Sequence, residues 1–129
     1  MIVIDSSVFV ATIAQEPEAE RLNRALGLAA GCLLSAGSYV ECAIVAEARF
    51  DGRSTLNEWL RRRRVAIVPV DREMAEAAAD AFRRFGKGRH PAKLNYGDCF
   101  AYALARTRAL PLLYKGDDFA RTDITSALV

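Results

Sequence analysis

The chain has 129 residues, 52% of them hydrophobic, which is the size and composition of a single domain with one adequate core. Charged residues make up 26% and the formal net charge is only +2, so there is no polycationic tail, although the sequence pI of about 8.6 permits a polyanionic partner. The three cysteines are too widely spaced for a disulfide framework or a zinc knuckle, and no apolar segment approaches the length of a membrane span. We therefore expect one cytoplasmic domain over residues 1–129, with buried and reduced thiols.

The apolar pattern predicts strands that alternate with helices along the chain. Short runs rich in branched aliphatic residues predict strands, buried on both faces, at residues 2–4, 32–35, 65–70 and 112–114. Helical spacing or alanine-rich composition predicts helices at residues 18–28, 38–50, 56–64, 72–85 and 95–109. Such alternation is typical of an α/β fold, in which right-handed crossovers place helices on the faces of a parallel sheet.

Acidic residues recur where this fold would bring chain segments together. In a parallel α/β sheet the helices begin at the carboxyl edge of the sheet, which is where such folds bind ligands. Asp5 directly follows the first predicted strand, and Asp117 and Asp118 follow the fourth. Glu41 and Asp98 lie in the predicted first turns of two helices. We therefore expect these acids to line one rim of the sheet.

Each acid also has a simpler interpretation as a helix cap. Residues 38–41, with the sequence SYVE, fit a capping box, and residues 95–98, with the sequence NYGD, fit a looser version of it. Asp5 and Asp117 could be simple N-caps. Taken one at a time, capping is favoured over metal binding for each of these acids.

Taken together, the acids favour a divalent metal ion. Carboxylates at one rim repel one another, and Lys115 is the only base beside them in the sequence. Mg²⁺ or Mn²⁺ prefers such oxygen ligands and bridges to phosphate oxygens. Zinc is disfavoured, because the chain has one histidine and no cysteine pair at ligand spacing. The chemistry that suits this composition is hydrolysis of a phosphodiester bond by a metal-bound water.

Four segments together resemble the PIN-domain ribonucleases, specifically the VapC-like toxins of type II toxin–antitoxin pairs. The segments are MIVIDSSVFVATIAQEPEAERL, SYVECAIVAEARF, GKGRHPAKLNYGDCFAYALA and LLYKGDDF. The resemblance implies a three-layer PIN-like domain, with a central parallel sheet flanked by helices on both faces and an acidic pocket for Mg²⁺ or Mn²⁺. It also implies endoribonuclease activity on an RNA substrate, a homodimer, and a cognate VapB-like antitoxin whose C-terminal segment covers the pocket.

The resemblance also assigns roles to particular residues. Asp5, Glu41 and Asp98 match the first three acids of the family, and we expect them to bind the metal and to be catalytic. Asp117 best matches the fourth acid, with Asp118 as its competitor. Two further polar residues match positions that we expect to orient these ligands by hydrogen bonding, namely Ser7 and Asn95.

A basic loop, GKGRHPAK, precedes Asp98. We expect it either to contact RNA phosphates or to be a plain turn, and its candidate contact residues are Lys87, Arg89, His90 and Lys93. A metal-bound water makes His90 unnecessary as a general base. Tyr96 and Tyr102 could stack on bases, but their helical positions are more typical of a core.

Three other classes of protein were compared with this pattern. A receiver-like phosphoacceptor module would need paired acids after the first strand and another acid ending a middle strand. A haloacid-dehalogenase-type phosphatase would need an aspartate where the chain has Ser7. A PIN-like domain that binds RNA or a partner without cleaving it stays open as an alternative, although the presence of all four acids favours cleavage.

Overall fold

A computed structural model describes residues 1–128 of the chain. Its strands are β1 (Ile2–Ile4), β2 (Cys32–Ser35), β3 (Val65–Val68) and β4 (Leu112–Leu113). Its α-helices are α1 (Ser6–Ile13), α2 (Ala19–Leu28), α3 (Ala36–Arg49), α4 (Arg53–Arg62), α5 (Arg72–Phe85) and α6 (Tyr96–Arg108). A short 3₁₀ turn, Phe119–Arg121, follows the last strand.

The four strands form one sheet in the order β3-β2-β1-β4, and every pairing is parallel. The first strand lies inside the sheet, with Val3 opposite Leu33 on one side and opposite Leu112 on the other. Each strand is connected to the next through helices, as parallel pairing requires. The predicted α/β fold is therefore confirmed.

A separate hydrophobic core lies on each face of the sheet, because neighbouring residues of a strand point to opposite faces. In β1, Val3 packs in a core built mainly with α5 and α6, whereas Ile4 packs in a second core built with α1 to α4. The adjacent leucines of β2 and β4 divide between the two cores in the same way. This arrangement gives the three layers that the sequence predicted.

Helix α1 is absent from the sequence prediction. Its sequence, SSVFVATI, is rich in β-branched residues and has no polar face, so neither helix propensity nor periodicity indicates a helix there. The helix forms because Val8 and Phe9 are buried in the core and because Asp5 caps its N-terminus.

Strand β3 corrects a second expectation, that all four strands are buried on both faces. It lies at the edge of the sheet, and Ala66 and Ile67 are exposed. The strand also ends at Val68 rather than at residue 70, since Pro69 has no N–H to donate to a neighbouring strand.

Helix α3 begins two residues before its predicted start, and the expected capping box at residues 38–41 is wrong. Ser35 is the N-cap, and its hydroxyl accepts a hydrogen bond of 3.2 Å from the Gly37 N–H. Ser38 is instead fully buried inside the helix. Because the helix starts earlier, Glu41 lies in its second turn rather than its first and does not cap the N-terminus.

Other features of the sequence analysis agree with the structure. Cys32, Cys42 and Cys99 are buried free thiols, as expected. Within residues 1–128, each helix is too short or too polar to cross a membrane.

We predict that Thr12→Val lowers the free energy of unfolding by about 1–3 kcal/mol, the usual cost of a buried donor without a partner. The indole N–H of Trp59 donates to the Thr12 hydroxyl over 2.9 Å in the core, and valine keeps the shape of threonine but cannot accept this bond. Urea unfolding measures the loss.

Thr107→Val, at an exposed position of α6, is the control for the loss of a threonine hydroxyl that only donates hydrogen bonds. The Thr107 hydroxyl only donates, mainly to the Ala103 carbonyl, and the described contacts include no donor that depends on it. Equal destabilisation by the two substitutions would contradict the role assigned to the Trp59 hydrogen bond.

Candidate metal centre

Asp5 lies at the carboxyl end of β1, where its backbone N–H donates to the Leu113 carbonyl over 2.9 Å. Its Oδ2 atom caps α1 by accepting from the Ser7 N–H over 3.1 Å, while its Oδ1 atom is buried without a hydrogen-bond partner. Burial raises the pKa of Asp5, and the charge of Asp118 adds to the rise. One oxygen of this carboxylate therefore stabilises the fold, and the other remains for a ligand.

Ser7 links the ends of two strands beside Asp5. Its hydroxyl accepts a hydrogen bond of 3.0 Å from the Lys115 N–H, just after β4. The ammonium group of Lys115 points to Glu16 at 2.6 Å and Glu18 at 3.6 Å. The one base that the sequence places beside Asp117 is thus paired with two acids that the sequence analysis did not single out.

Glu41 extends from α3 toward the start of α6, and its Oε1 atom is buried without a hydrogen-bond partner. Burial, together with the charges of Asp5 and Asp98, raises the pKa of Glu41 to about 7. Glu41 is therefore a partly buried carboxyl group held near two others.

Asp98 is the third residue of α6 and forms a capping box with Asn95. The Asn95 Oδ1 atom accepts from the Asp98 N–H over 2.8 Å, and the Asp98 Oδ2 atom accepts from the Asn95 N–H over 3.0 Å. Burial is the main cause that raises the pKa of Asp98 to about 6. The hydrogen bond from Asn95 acts against this rise, and the charges of Asp5 and Asp118 contribute to it. The predicted capping is confirmed, and it uses only one carboxylate oxygen.

The two acids of the GDDF segment differ in their relation to this cluster. The charge of Asp118 contributes to the raised pKa of both Asp5 and Asp98. Asp118, rather than Asp117, is also the residue that precedes the 3₁₀ turn, so the expected N-cap at Asp117 is wrong. Both side chains are exposed.

The clustered acids lack neighbouring cations. Within residues 1–128, none of the ion pairs includes Asp5, Glu41, Asp98 or Asp118. No three Asp, Glu, His or Cys side chains in this part of the chain converge on one point as they are placed. Mg²⁺ is commonly held by one or two carboxylates and several waters, so this donor set fits such an ion without a complete protein cage.

The basic loop lies between α5 and α6 and forms a tight turn. The Lys87 N–H donates to the Leu94 carbonyl over 2.8 Å, and the His90 Nδ1 atom accepts from the Ala92 N–H over 3.0 Å. The His90 ring is half-buried against Phe85. The remaining three candidates are exposed, namely Lys87, Arg89 and Lys93. The turn interpretation is confirmed for the backbone, and RNA contact stays a prediction for all four residues.

The two candidate stacking tyrosines have different environments. Tyr102 belongs to the core, and its hydroxyl donates to Asp123. Tyr96 is 78% exposed, two residues before Asp98, with its ring edge-to-face with Phe100. Only Tyr96 is therefore open to a ligand.

The sequence matches the PIN domain family over residues 2–124. This chain belongs to the PIN-domain family. Among curated proteins it is 50% identical over 126 residues to "Ribonuclease VapC" of Mycolicibacterium smegmatis, covering 96% of this chain and 98% of the relative. It is 49% identical over 126 residues to "Ribonuclease VapC30" of Mycobacterium tuberculosis, covering 96% of each chain. The resemblance to VapC-like PIN-domain ribonucleases is thereby confirmed.

Two solved structures share the fold of this chain. The crystal structure of Mycobacterium tuberculosis VapC20 has a TM-score of 0.79 at 16% identity and covers 100% of both chains. FitAcB from Neisseria gonorrhoeae has a TM-score of 0.69 at 22% identity, covering 98% of this chain and 96% of its own. Family membership excludes the receiver-like and phosphatase alternatives.

We predict that the metal-free protein becomes more stable as the pH falls from about 8 to about 5. The folded-state pKa values of Glu41 and Asp98, about 7 and about 6, lie above the ordinary values of these side chains, 4.5 and 3.8, so the folded state binds more protons across this window. Urea unfolding at a series of pH values in a chelating buffer measures the trend.

Glu41→Gln is the control for this pH dependence, because it removes the group that titrates highest. In the variant, the free energy of unfolding should change less between about pH 6 and 8. The change at lower pH, which comes from Asp98, should remain. Stability that rises with pH over the whole window in the wild type would contradict the burial assigned to these carboxyls.

Proposed function

We propose that this PIN-domain protein is an endoribonuclease that hydrolyses RNA phosphodiester bonds with Mg²⁺ or Mn²⁺, and that it is the toxin of a type II toxin–antitoxin pair. The observation that carries the proposal is the pair of buried oxygens, Oδ1 of Asp5 and Oε1 of Glu41, which lack hydrogen-bond partners in an acid cluster without cations. Two relatives at about half identity are named ribonucleases, which supports the same activity.

In this proposal Asp5 and Asp98 hold the metal ion through the oxygens that capping leaves over. Glu41 completes the site or orients the attacking water. We propose Asp118 as the fourth acid in preference to Asp117, because its charge acts on both Asp5 and Asp98. A divalent ion held there would supply an activated water and neutralise charge on the leaving oxygen.

Hydrogen bonds hold these ligands in place, and nearby residues supply affinity for RNA. Ser7 orients Asp5 through its N–H, and Asn95 orients Asp98. The exposed cations of the basic loop provide sequence-independent phosphate contacts beside the site. Tyr96 offers an exposed ring on which a base can stack.

Two partners belong to the proposal. A cognate VapB-like antitoxin follows from membership of the VapC proteins. A second copy of the chain is supported by Val40 and Ile44, which are 55% and 64% exposed on the same face of α3. The three buried free thiols support the cytoplasm as the compartment.

We predict that Asp5→Asn and Asp98→Asn each lower the rate of RNA cleavage by more than about 100-fold, because substitution of residues that only orient metal ligands already costs about 10- to 100-fold. Cleavage should require Mg²⁺ or Mn²⁺ and stop with chelator. Single-turnover cleavage of single-stranded and structured RNAs measures the rates, and sequencing of the RNA ends locates the cuts.

Matched variants make this test specific. Asp80→Asn changes an exposed acid of α5 and should keep the full rate. Asp118→Asn should lower the rate more than Asp117→Asn if the fourth acid is assigned correctly. A wild-type protein that leaves every RNA uncut with either ion would instead favour a binding domain without catalysis.

A further inference from the structure

Helices α3 and α6 cross at the site, and each helix contributes a glycine to the crossing. A Cβ atom built on Gly97 of α6 would overlap the carboxylate of Glu41 from α3. A Cβ atom built on Gly37 of α3 would lie 2.5 Å from the Cγ atom of Phe100 from α6. Each helix thus has a glycine where the other helix inserts a large side chain.

The spacing within each helix makes this exchange reciprocal. Gly37 and Glu41 lie four positions apart on α3, and Gly97 and Phe100 lie three positions apart on α6. Residues at these spacings share one face of a helix. The two contacts therefore belong to the same interface, and one of them ends at the acid cluster.

The two contacts differ in what a methyl group would displace. At Gly37 the obstacle is the Cγ atom of the partly buried Phe100 ring, which lies close to the backbone of α6. This atom can move away only if the helices move apart. At Gly97 the obstacle is the far end of a Glu side chain, which can rotate away while the helices stay in place. A substitution at Gly97 should therefore relocate a carboxylate rather than damage the fold.

We propose that Gly97 is a positioning residue for Glu41. The space left by its missing side chain holds the Glu41 carboxylate against the first turn of α6, next to Asp98. This inference rests on the proposed metal-dependent function and adds to it a residue that touches neither RNA nor the ion.

The first test measures Mn²⁺ binding by calorimetry and urea unfolding of the metal-free protein. Gly97→Ala should weaken Mn²⁺ binding at least about tenfold, the lower range for residues that orient metal ligands. It should not lower the stability of the metal-free protein, because the displaced carboxylate reaches water. The rate of RNA cleavage should fall with the affinity.

The second test is rescue by a shorter acid. Glu41→Asp draws the carboxylate back by one methylene, out of the space that the alanine methyl group fills. Glu41→Asp alone should weaken Mn²⁺ binding, yet Gly97→Ala with Glu41→Asp should bind Mn²⁺ more tightly than Gly97→Ala alone. A glycine needed only for helix packing would give no such rescue.

Two control glycines separate positioning from packing. Gly37→Ala should destabilise the metal-free protein. Phe100→Ala, which removes the Cγ atom and both Cδ atoms that the added methyl group meets, should cost less stability in that variant than in the wild type, whereas Glu41→Asp should give no such relief. Gly27→Ala should leave Mn²⁺ binding unchanged, because nothing lies within 4 Å of the added Cβ in α2.

Two results would overturn the inference alone: wild-type Mn²⁺ affinity in Gly97→Ala, or additive losses in the double variant. A wild-type protein that binds no Mn²⁺ would overturn the inference together with the proposed function. The behaviour of the wild type therefore distinguishes the two failures.

Discussion

Carboxylates packed together away from water repel one another, and the structure around them must hold them despite that cost. In this protein the chain topology and the packing of the core hold these carboxylates together against their repulsion. The first strand places Asp5 at the carboxyl edge of the sheet, and α3 and α6 bring Glu41 and Asp98 close enough for their charges to act on one another. Both layers of helices must therefore be docked on the sheet before these charges meet. The site is a product of the complete tertiary structure rather than of any single segment.

Nearby cations are directed elsewhere, which keeps the cluster negative. Lys115 is the base that the sequence places nearest to these acids. It pairs instead with Glu16 and Glu18 in the connection between α1 and α2. Its backbone N–H meanwhile anchors the Ser7 hydroxyl. The same residue thus fastens the end of β4 to the start of the chain while leaving the acids without a neutralising partner.

Much of the architecture could be predicted from the sequence, because buried parallel strands are continuous apolar runs and the longer helices have clear periodicity. The prediction failed where tertiary packing overrides local preference. Helix α1 has β-branched residues and no polar face, so its sequence does not indicate a helix. Edge strand β3 has the same apolar composition as a central strand, so its exposure is not visible in the sequence. The candidate acids could be selected because their positions after strands and near helix starts follow from topology. The role of Gly97 could not be found, since a close approach between two helices leaves no trace in either helix alone.

In a single side chain, one carboxylate oxygen caps a helix and the other is left for the proposed metal ion. In Asp98, Oδ2 accepts the hydrogen bond from Asn95, and the other oxygen has no structural duty. An amide side chain at this position keeps an oxygen able to accept that bond but loses the charge. If the proposed function holds, one amino-acid change at Asp98 therefore stops RNA cleavage without unfolding the chain. The resulting inert copy would still present its surfaces and could occupy the same partners as the active form.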